Sequence, residues 1–90
     1  MIKHISLRIT GKVQGVFFRA STKEEADKYF IKGLVRNERD GSVYIEAEGE
    51  EDVLKTFTEW CRRGPRTAIV DHCEVAEDNV KGFDEFIISR

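Results

Sequence analysis

Long apolar runs and an excess of one charge are both absent from this 90-residue sequence. No stretch approaches the roughly 18 apolar residues of a membrane-spanning helix. Residues 1–10 alternate polar and apolar instead of forming the apolar block of a signal peptide, so we expect a cytoplasmic protein with no membrane partner. Fifteen basic and 17 acidic residues give a net charge of -2, which disfavours nucleic acid as a partner and leaves any bound anion to local geometry.

Proline and cysteine are also scarce, with one proline and two cysteines. Cys61 and Cys73 lie too far apart for a C-x-x-C motif and have no matching histidine pair, so we predict no zinc site. We interpret both as buried thiols, because a disulfide is disfavoured in the cytosol. Hydrophobic residues at 40% and charged residues at 36% predict one globular domain over residues 1–90.

The first third of the chain predicts a strand, a loop and a helix. Polar and apolar residues alternate from position 4 to position 10, which is the period of a strand with one apolar and one hydrated face. Residues 11–19 contain two glycines and predict a compact loop. The capping-box spacing of Ser21 and Glu24, or of Thr22 and Glu25, predicts that a helix starts between positions 19 and 22.

The middle of the chain predicts a β-hairpin. An Asp-Gly pair at positions 40–41 separates two extended segments, residues 34–39 and 42–48. Glu46 and Glu48 fall on the polar side of the second arm. We therefore predict that this face of the sheet is acidic and hydrated.

The last part of the chain predicts a second helix and two further strands. Residues 50–63 place apolar side chains along one helical face and end at a Gly-Pro pair. Residues 68–77 and 83–89 are the predicted strands. The order is β-α-β-β-α-β with a terminal extra strand, which predicts an α+β, ferredoxin-like α/β sandwich with two helices on one face of a mainly antiparallel sheet.

One loop could bind an anion. The glycines of residues 11–19 allow backbone N–H groups to point inward, and Arg19 stands where this loop meets a helix N-terminus. Its guanidinium matches phosphate or carboxylate oxygens. The residues alone leave alternatives open, since an arginine at a helix start is often a solvated surface residue and Asn37, just before the Asp-Gly turn, is often a turn residue.

Two motifs carry a family resemblance. Residues 11–19, GKVQGVFFR, are similar to the G-x-V-Q-G-V-x-F-R signature of the acylphosphatase family. Residues 33–37 and 40–43 resemble its second signature, except that Leu34 replaces a usual aromatic residue. Weaker similarity extends over essentially the whole chain.

The resemblance implies a metal-independent hydrolase, without a cofactor, that cleaves the carboxyl-phosphate bond of acyl phosphates. It implies that Arg19 and Asn37 are catalytic, with Asn37 orienting the attacking water. The implied phosphate cradle consists of backbone amides, those of Gly15, Val16, Phe17, Phe18 and Arg19. We expect a monomer that binds a small acyl phosphate, with inorganic phosphate as product and inhibitor, and no site specific for the acyl portion.

Two other functions remain as alternatives. A regulatory module could retain the cradle and bind phosphate without turnover. An RNA-binding sheet would need several stacking aromatics and basic charge on its open face, whereas Tyr44 stands alone there beside Glu46 and Glu48. His4 and His72 lie on separate predicted strands, so we interpret them as solvated or structural.

Overall fold

The computed structural model describes residues 1–89. Its elements, in chain order, are β1 (Ile2–Lys12), α1 (Phe18–Lys28), β2 (Lys32–Asn37), β3 (Val43–Glu50), α2 (Glu51–Arg63), β4 (Ile69–Asp78) and β5 (Phe86–Ile88). The strands form one sheet in the order β4-β1-β3-β2-β5. All neighbours are antiparallel except β2 and β5. The predicted element order and ferredoxin-like class are confirmed.

The helices cover one face of the sheet and enclose the core. Helix α1 packs on β2 and β5, and α2 packs on β1, β3 and β4. The predicted apolar stripe of α2 is buried through Leu54, Phe57 and Cys61. Burial of Leu54 and of Phe57 contributes about 1.5–3 kcal/mol each, because their apolar surface leaves water. Across the described part of the chain, no helix has the length and apolar character needed to cross a membrane.

The two cysteines differ in their surroundings. Cys61 is buried in the core and Cys73 is half-buried on β4, and both are free thiols. Burial raises the pKa of Cys61 well above its ordinary value and raises that of Cys73 as well. Neither thiol is therefore an activated nucleophile at neutral pH. The prediction of buried thiols is confirmed for Cys61 and is only half right for Cys73.

The strand directions bring three chain segments to one edge of the sheet. Strands β1 and β2 are both antiparallel to β3, so they run parallel to each other. Strand β5 is parallel to β2. The residues that follow β1, the end of β2 and the end of β5 therefore lie at the same edge.

Helix α1 starts earlier than predicted. Its N-cap is Phe17, in the left-handed conformation with φ 63°, and no side chain in the described part of the chain caps the helix. The Ser21 N–H donates to the Phe17 carbonyl at 3.0 Å, so Ser21 already lies within the first turn. The capping-box prediction is wrong because the loop conformation, and not a polar cap, sets where the helix begins.

The hairpin loop is longer than an Asp-Gly turn. It spans residues 38–42, closed by a hydrogen bond from the Glu38 N–H to the Ser42 carbonyl at 2.8 Å. The Asp40 carboxylate accepts hydrogen bonds from the Ser42 N–H at 2.9 Å and the Ser42 hydroxyl at 2.6 Å. Local side-chain bonds of this kind are typical of turns, and here they help to fix the conformation of the loop.

The predicted hydrated acidic face is wrong for β3. Glu46 and Glu48 are buried, and His4 of β1 is buried between them. The His4 Nδ1 atom lies 2.6 Å from Glu48 Oε2, and its Nε2 atom lies 3.1 Å from Glu46 Oε1. Of the two options left open for His4, the structure supports the structural one. His72 is exposed on β4.

The segment between β4 and β5 covers these carboxylates. Glu48 accepts backbone N–H bonds from Lys81 at 2.5 Å, Gly82 at 3.1 Å and Phe83 at 3.1 Å. Burial alone would raise the pKa of Glu48, but these N–H donors together with His4 hold it below its usual value. A buried carboxylate is tolerated here because hydrogen bonds satisfy it.

Candidate active site

A cavity of about 370 Å³ opens at the sheet edge where β1, β2 and β5 end. Its volume lies in the range of small-molecule sites. It contains both polar residues singled out from the sequence, Arg19 and Asn37. Its remaining lining residues are small or apolar: Val13, Gly15, Phe17, Phe18, Ala20 and Ile88.

The loop before α1 has a backbone suited to anion binding. Gly15 and Phe17 both adopt left-handed conformations, with φ 71° and 63°. Backbone that alternates in this way turns successive N–H groups toward one concavity. The first N–H groups of α1 lack intrahelical partners, as in every helix, and no side chain of residues 1–89 caps them. They are free to bind a ligand.

Three hydrogen bonds from two side chains hold this loop in place. The Gln14 Nε2 atom donates to the Glu38 carbonyl at 2.7 Å and to the Ser42 carbonyl at 2.8 Å. The Thr67 hydroxyl donates to the Val16 carbonyl at 2.6 Å. Gln14 thus ties the loop to the hairpin that carries Asn37, and Thr67 ties it to the segment after α2.

Arg19 supplies the positive charge of the cavity. No other charged side chain among residues 1–89 lines it. Its guanidinium forms no ion pair with an acidic side chain of the described residues. An arginine without a carboxylate partner among the described residues, beside a helix N-terminus, has the chemistry to bind a multiply charged anion.

Asn37 is the last residue of β2 and lines the same cavity as Arg19. Its Oδ1 atom is buried and has no hydrogen-bond partner within the described residues. Buried polar atoms are normally paired, and an unpaired one costs about 1–3 kcal/mol. The fold therefore leaves part of the hydrogen-bonding capacity of this amide unused.

The sequence did not reveal the residues that align the two halves of the site. Gln14 belongs to the first motif, but its hydrogen bonds reach 24 and 28 residues along the chain. Thr67 reaches back 51 residues and Ile88 joins the cavity from β5. Only the strand order could have indicated these contacts. In residues 1–89, no three metal-ligating side chains converge on one point.

Known proteins resemble this chain over nearly its whole length. The sequence model of the Acylphosphatase family matches residues 5–88. An acylphosphatase of Syntrophus aciditrophicus is 43% identical over 89 residues, which cover 98% of this chain and 93% of that protein. An acylphosphatase of Salinibacter ruber is 46% identical over 89 residues, covering 98% of this chain and 94% of that protein.

A solved structure agrees with both sequence comparisons. The crystal structure of acylphosphatase from Bacillus subtilis superposes with a TM-score of 0.95 at 36% identity, covering 100% of both chains. Sequence and fold thus agree over the same residues, and the resemblance carried by residues 11–19 and 33–43 is confirmed. The chain belongs to the acylphosphatase family of hydrolases.

Proposed function

We propose that this chain hydrolyses the carboxyl-phosphate bond of acyl phosphates without a metal. Arg19 and the backbone amides of residues 15–19 would bind the phosphoryl group, and Asn37 would orient the attacking water. The proposal is carried by one observation: as far as residues 1–89 show, an uncapped helix N-terminus, an arginine without an acidic partner and an amide with an unpaired acceptor line the same cavity.

The phosphoryl group would occupy the concavity of the loop. Its oxygens accept hydrogen bonds from the backbone N–H groups, and the helix dipole adds favourable electrostatics. The Arg19 guanidinium offers two parallel donors to two oxygens. In the transition state the negative charge spreads over the equatorial oxygens, so these fixed donors bind it more strongly than they bind the substrate.

Asn37 would hold the attacking water. A hydrogen bond between the amide and the water fixes a lone pair of the water toward phosphorus. A bond then forms between the water oxygen and phosphorus, and the bond from phosphorus to the acyl oxygen breaks with its electron pair on the carboxylate. The cavity lining contains no carboxylate or histidine among residues 1–89. A phosphoryl oxygen of the substrate therefore accepts the water proton.

The leaving group explains why so small a site is sufficient. A carboxylate is the conjugate base of an acid with a pKa of about 4 to 5, by analogy with side-chain carboxyls. It departs as an anion at neutral pH without a general acid. An alkoxide leaving group would need protonation, for which the described lining residues supply no carboxylic acid or histidine. Phosphomonoesters should therefore be poor substrates.

The test is an assay in EDTA with acetyl phosphate and a phosphomonoester side by side. We expect turnover of acetyl phosphate only. Arg19→Ala should lower kcat/KM at least about a hundredfold, since it removes a charged transition-state contact. Arg63→Ala is the matched control, because Arg63 is exposed at the end of α2 and lies outside the cavity. Wild-type turnover by Arg19→Ala, or loss of turnover in EDTA, would refute the proposal.

A further inference from the structure

Two exposed apolar side chains border the cavity, and we call them the apolar rim. Phe17 belongs to the loop and is 76% exposed, and Ile88 belongs to β5 and is 44% exposed. Both line the cavity that contains Arg19 and Asn37. The rim therefore offers apolar surface to any substrate group that extends beyond the phosphoryl site.

The stability of the fold does not explain a phenylalanine at position 17. Its side chain is mostly in water, so it contributes little burial energy. Its backbone is left-handed, a conformation that disfavours residues with a Cβ atom. A bulky residue held in an unfavourable backbone conformation beside a cavity points to a functional role for that residue. Glycine would adopt this backbone conformation at lower cost, but it would remove the apolar side chain from the rim of the cavity.

The cavity is larger than a phosphoryl group needs. At roughly 30 Å³ for each water-sized group, the four heavy atoms of a phosphoryl group fill about a third of the 370 Å³. The other lining side chains are apolar except for that of Asn37, and Arg19 is the one charged lining residue in the described part of the chain. A second charged group on the acyl portion would thus find no counter-ion of its own.

We propose that Phe17 and Ile88 bind the acyl portion of the substrate and that this portion is apolar, with an aromatic acyl group preferred to a short one. This inference rests on the proposed function and deepens it, because the sequence alone predicted no contact with the acyl portion. Contact between an aromatic acyl group and the rim removes apolar surface from water on both partners.

The experiment compares kcat/KM for benzoyl phosphate and acetyl phosphate in each variant. Both substrates share the phosphoryl group. The ratio of their kcat/KM values therefore cancels any effect of a substitution on how the phosphoryl group is bound. Wild type should prefer benzoyl phosphate by roughly tenfold or more, as expected for apolar contacts. Phe17→Ala and Ile88→Ala should each reduce this preference about fivefold, and Phe17→Leu should reduce it less.

Two matched controls lie outside the cavity. Phe30 is 81% exposed and also left-handed, with φ 57°. Ile87 precedes Ile88 on the same strand and is 42% exposed. Phe30→Ala and Ile87→Ala should leave the substrate preference within about twofold of wild type, since neither side chain lines the cavity.

The outcomes separate the two proposals. Failure of wild type to hydrolyse either substrate would refute the proposed function and this inference with it. Turnover of both substrates, with the wild-type ratio retained in Phe17→Ala and Ile88→Ala, would refute this inference alone. So would an equal fall of the ratio in the control variants. Circular dichroism establishes whether each variant is folded. If Phe17→Ala does not fold, Phe17→Leu replaces it in the comparison.

Discussion

Asn37 combines a free hydrogen-bonding atom with a position at the end of a strand. Its backbone pairs with Val43 on β3, so the fold fixes where its side chain begins. Its Oδ1 atom is buried without a partner among residues 1–89. An alanine here would remove a buried unpaired acceptor, so the amide gives the fold no stability that would explain its presence.

Because the fold does not need this amide for stability, Asn37→Ala tests its role in the reaction. We expect kcat to fall at least about a hundredfold, because the water loses its orientation. Inhibition by inorganic phosphate should persist, since the backbone amides and Arg19 remain. The midpoint of thermal unfolding should not fall. Steady-state kinetics, phosphate inhibition and calorimetry measure the three quantities.

Asn79→Ala is the control, because Asn79 is exposed between β4 and β5 and does not line the cavity. A parallel weakening of phosphate inhibition in Asn37→Ala would contradict the separation of water orientation from anion binding.

The sequence could predict Arg19 and Asn37 but not the residues that align them. Arg19 follows a glycine-bearing loop, and the chemistry of its side chain indicates an anion. Asn37 alone was ambiguous with turn chemistry, and only its place in the second motif favoured a functional role. The double hydrogen bond of Gln14 joins two elements that are neighbours only in the folded chain. No local pattern encodes such a contact.

The N-terminus of α1 and the C-terminus of α2 meet near the site. The buried Phe18 ring lies 5.8 Å from Trp60, measured between ring centroids, in a tilted arrangement. Gly64 ends α2 with φ 70°, and a Cβ atom there would lie 2.6 Å from Phe18 Cε2. The end of one helix therefore limits where the first residue of the other can be.

Gly64→Ala should disturb both stability and activity. The clash should cost about 1–3 kcal/mol, in addition to the strain of a left-handed alanine. The displaced Phe18 should shift the adjacent Arg19 and lower kcat/KM. Urea unfolding and the acyl phosphate assay measure the two effects.

Gly82→Ala separates strain from clash. Gly82 has a similar φ of 82°, but a Cβ atom there meets nothing within 4 Å. This control should show the strain alone and keep its activity. Equal losses of stability in both variants would contradict the role given to the contact with Phe18.

The helices differ in how well the sequence predicted them. Helix α2 was predicted closely because its apolar stripe, its acidic first turn and its basic last turn all agree. Helix α1 was predicted with a later start because the polar residues at positions 21 and 22 have the spacing of a capping box, although neither caps the helix. Its true N-cap, Phe17, is a residue type with no capping chemistry, held in place by the loop.

The buried polar cluster of His4, Glu46 and Glu48 joins the sheet to the segment between β4 and β5. Lys81 adds a side-chain contact, with its Nζ atom 2.7 Å from Glu46 Oε1. Burial would raise the pKa of Glu46, but the hydrogen bond and positive charge of Lys81 hold it below its ordinary value. The sequence could not predict this arrangement, because strand periodicity does not tell which distant segment covers a face.

The lowered pKa of Glu48 predicts how stability depends on pH. The folded carboxylate binds a proton less readily than the unfolded one, whose ordinary pKa is 4.5. Its contribution to the free energy of unfolding is therefore complete above about pH 4.5 and is lost as the pH falls through the lower folded value. Glu48→Gln should destabilise the chain by about 1.5–3 kcal/mol at neutral pH.

Urea unfolding between pH 5 and pH 3 measures this effect. The difference in unfolding free energy between wild type and Glu48→Gln should shrink as the pH falls. Glu59→Gln is the control, because Glu59 is exposed on α2. The unfolding free energy of this variant should follow that of wild type over the same pH range. A difference that stays constant over this pH range would contradict the assignment.

Strand β4 has a neighbour on one side only, β1, within the described part of the chain. Its outer border is ten residues long and offers unpaired amide and carbonyl groups, the usual starting point for aggregation through added strands. Four acids lie along it: Asp71, Glu74, Glu77 and Asp78. A second copy approaching this border would bring its own acids against them, so at neutral pH mutual repulsion protects the sheet from growing into a fibre.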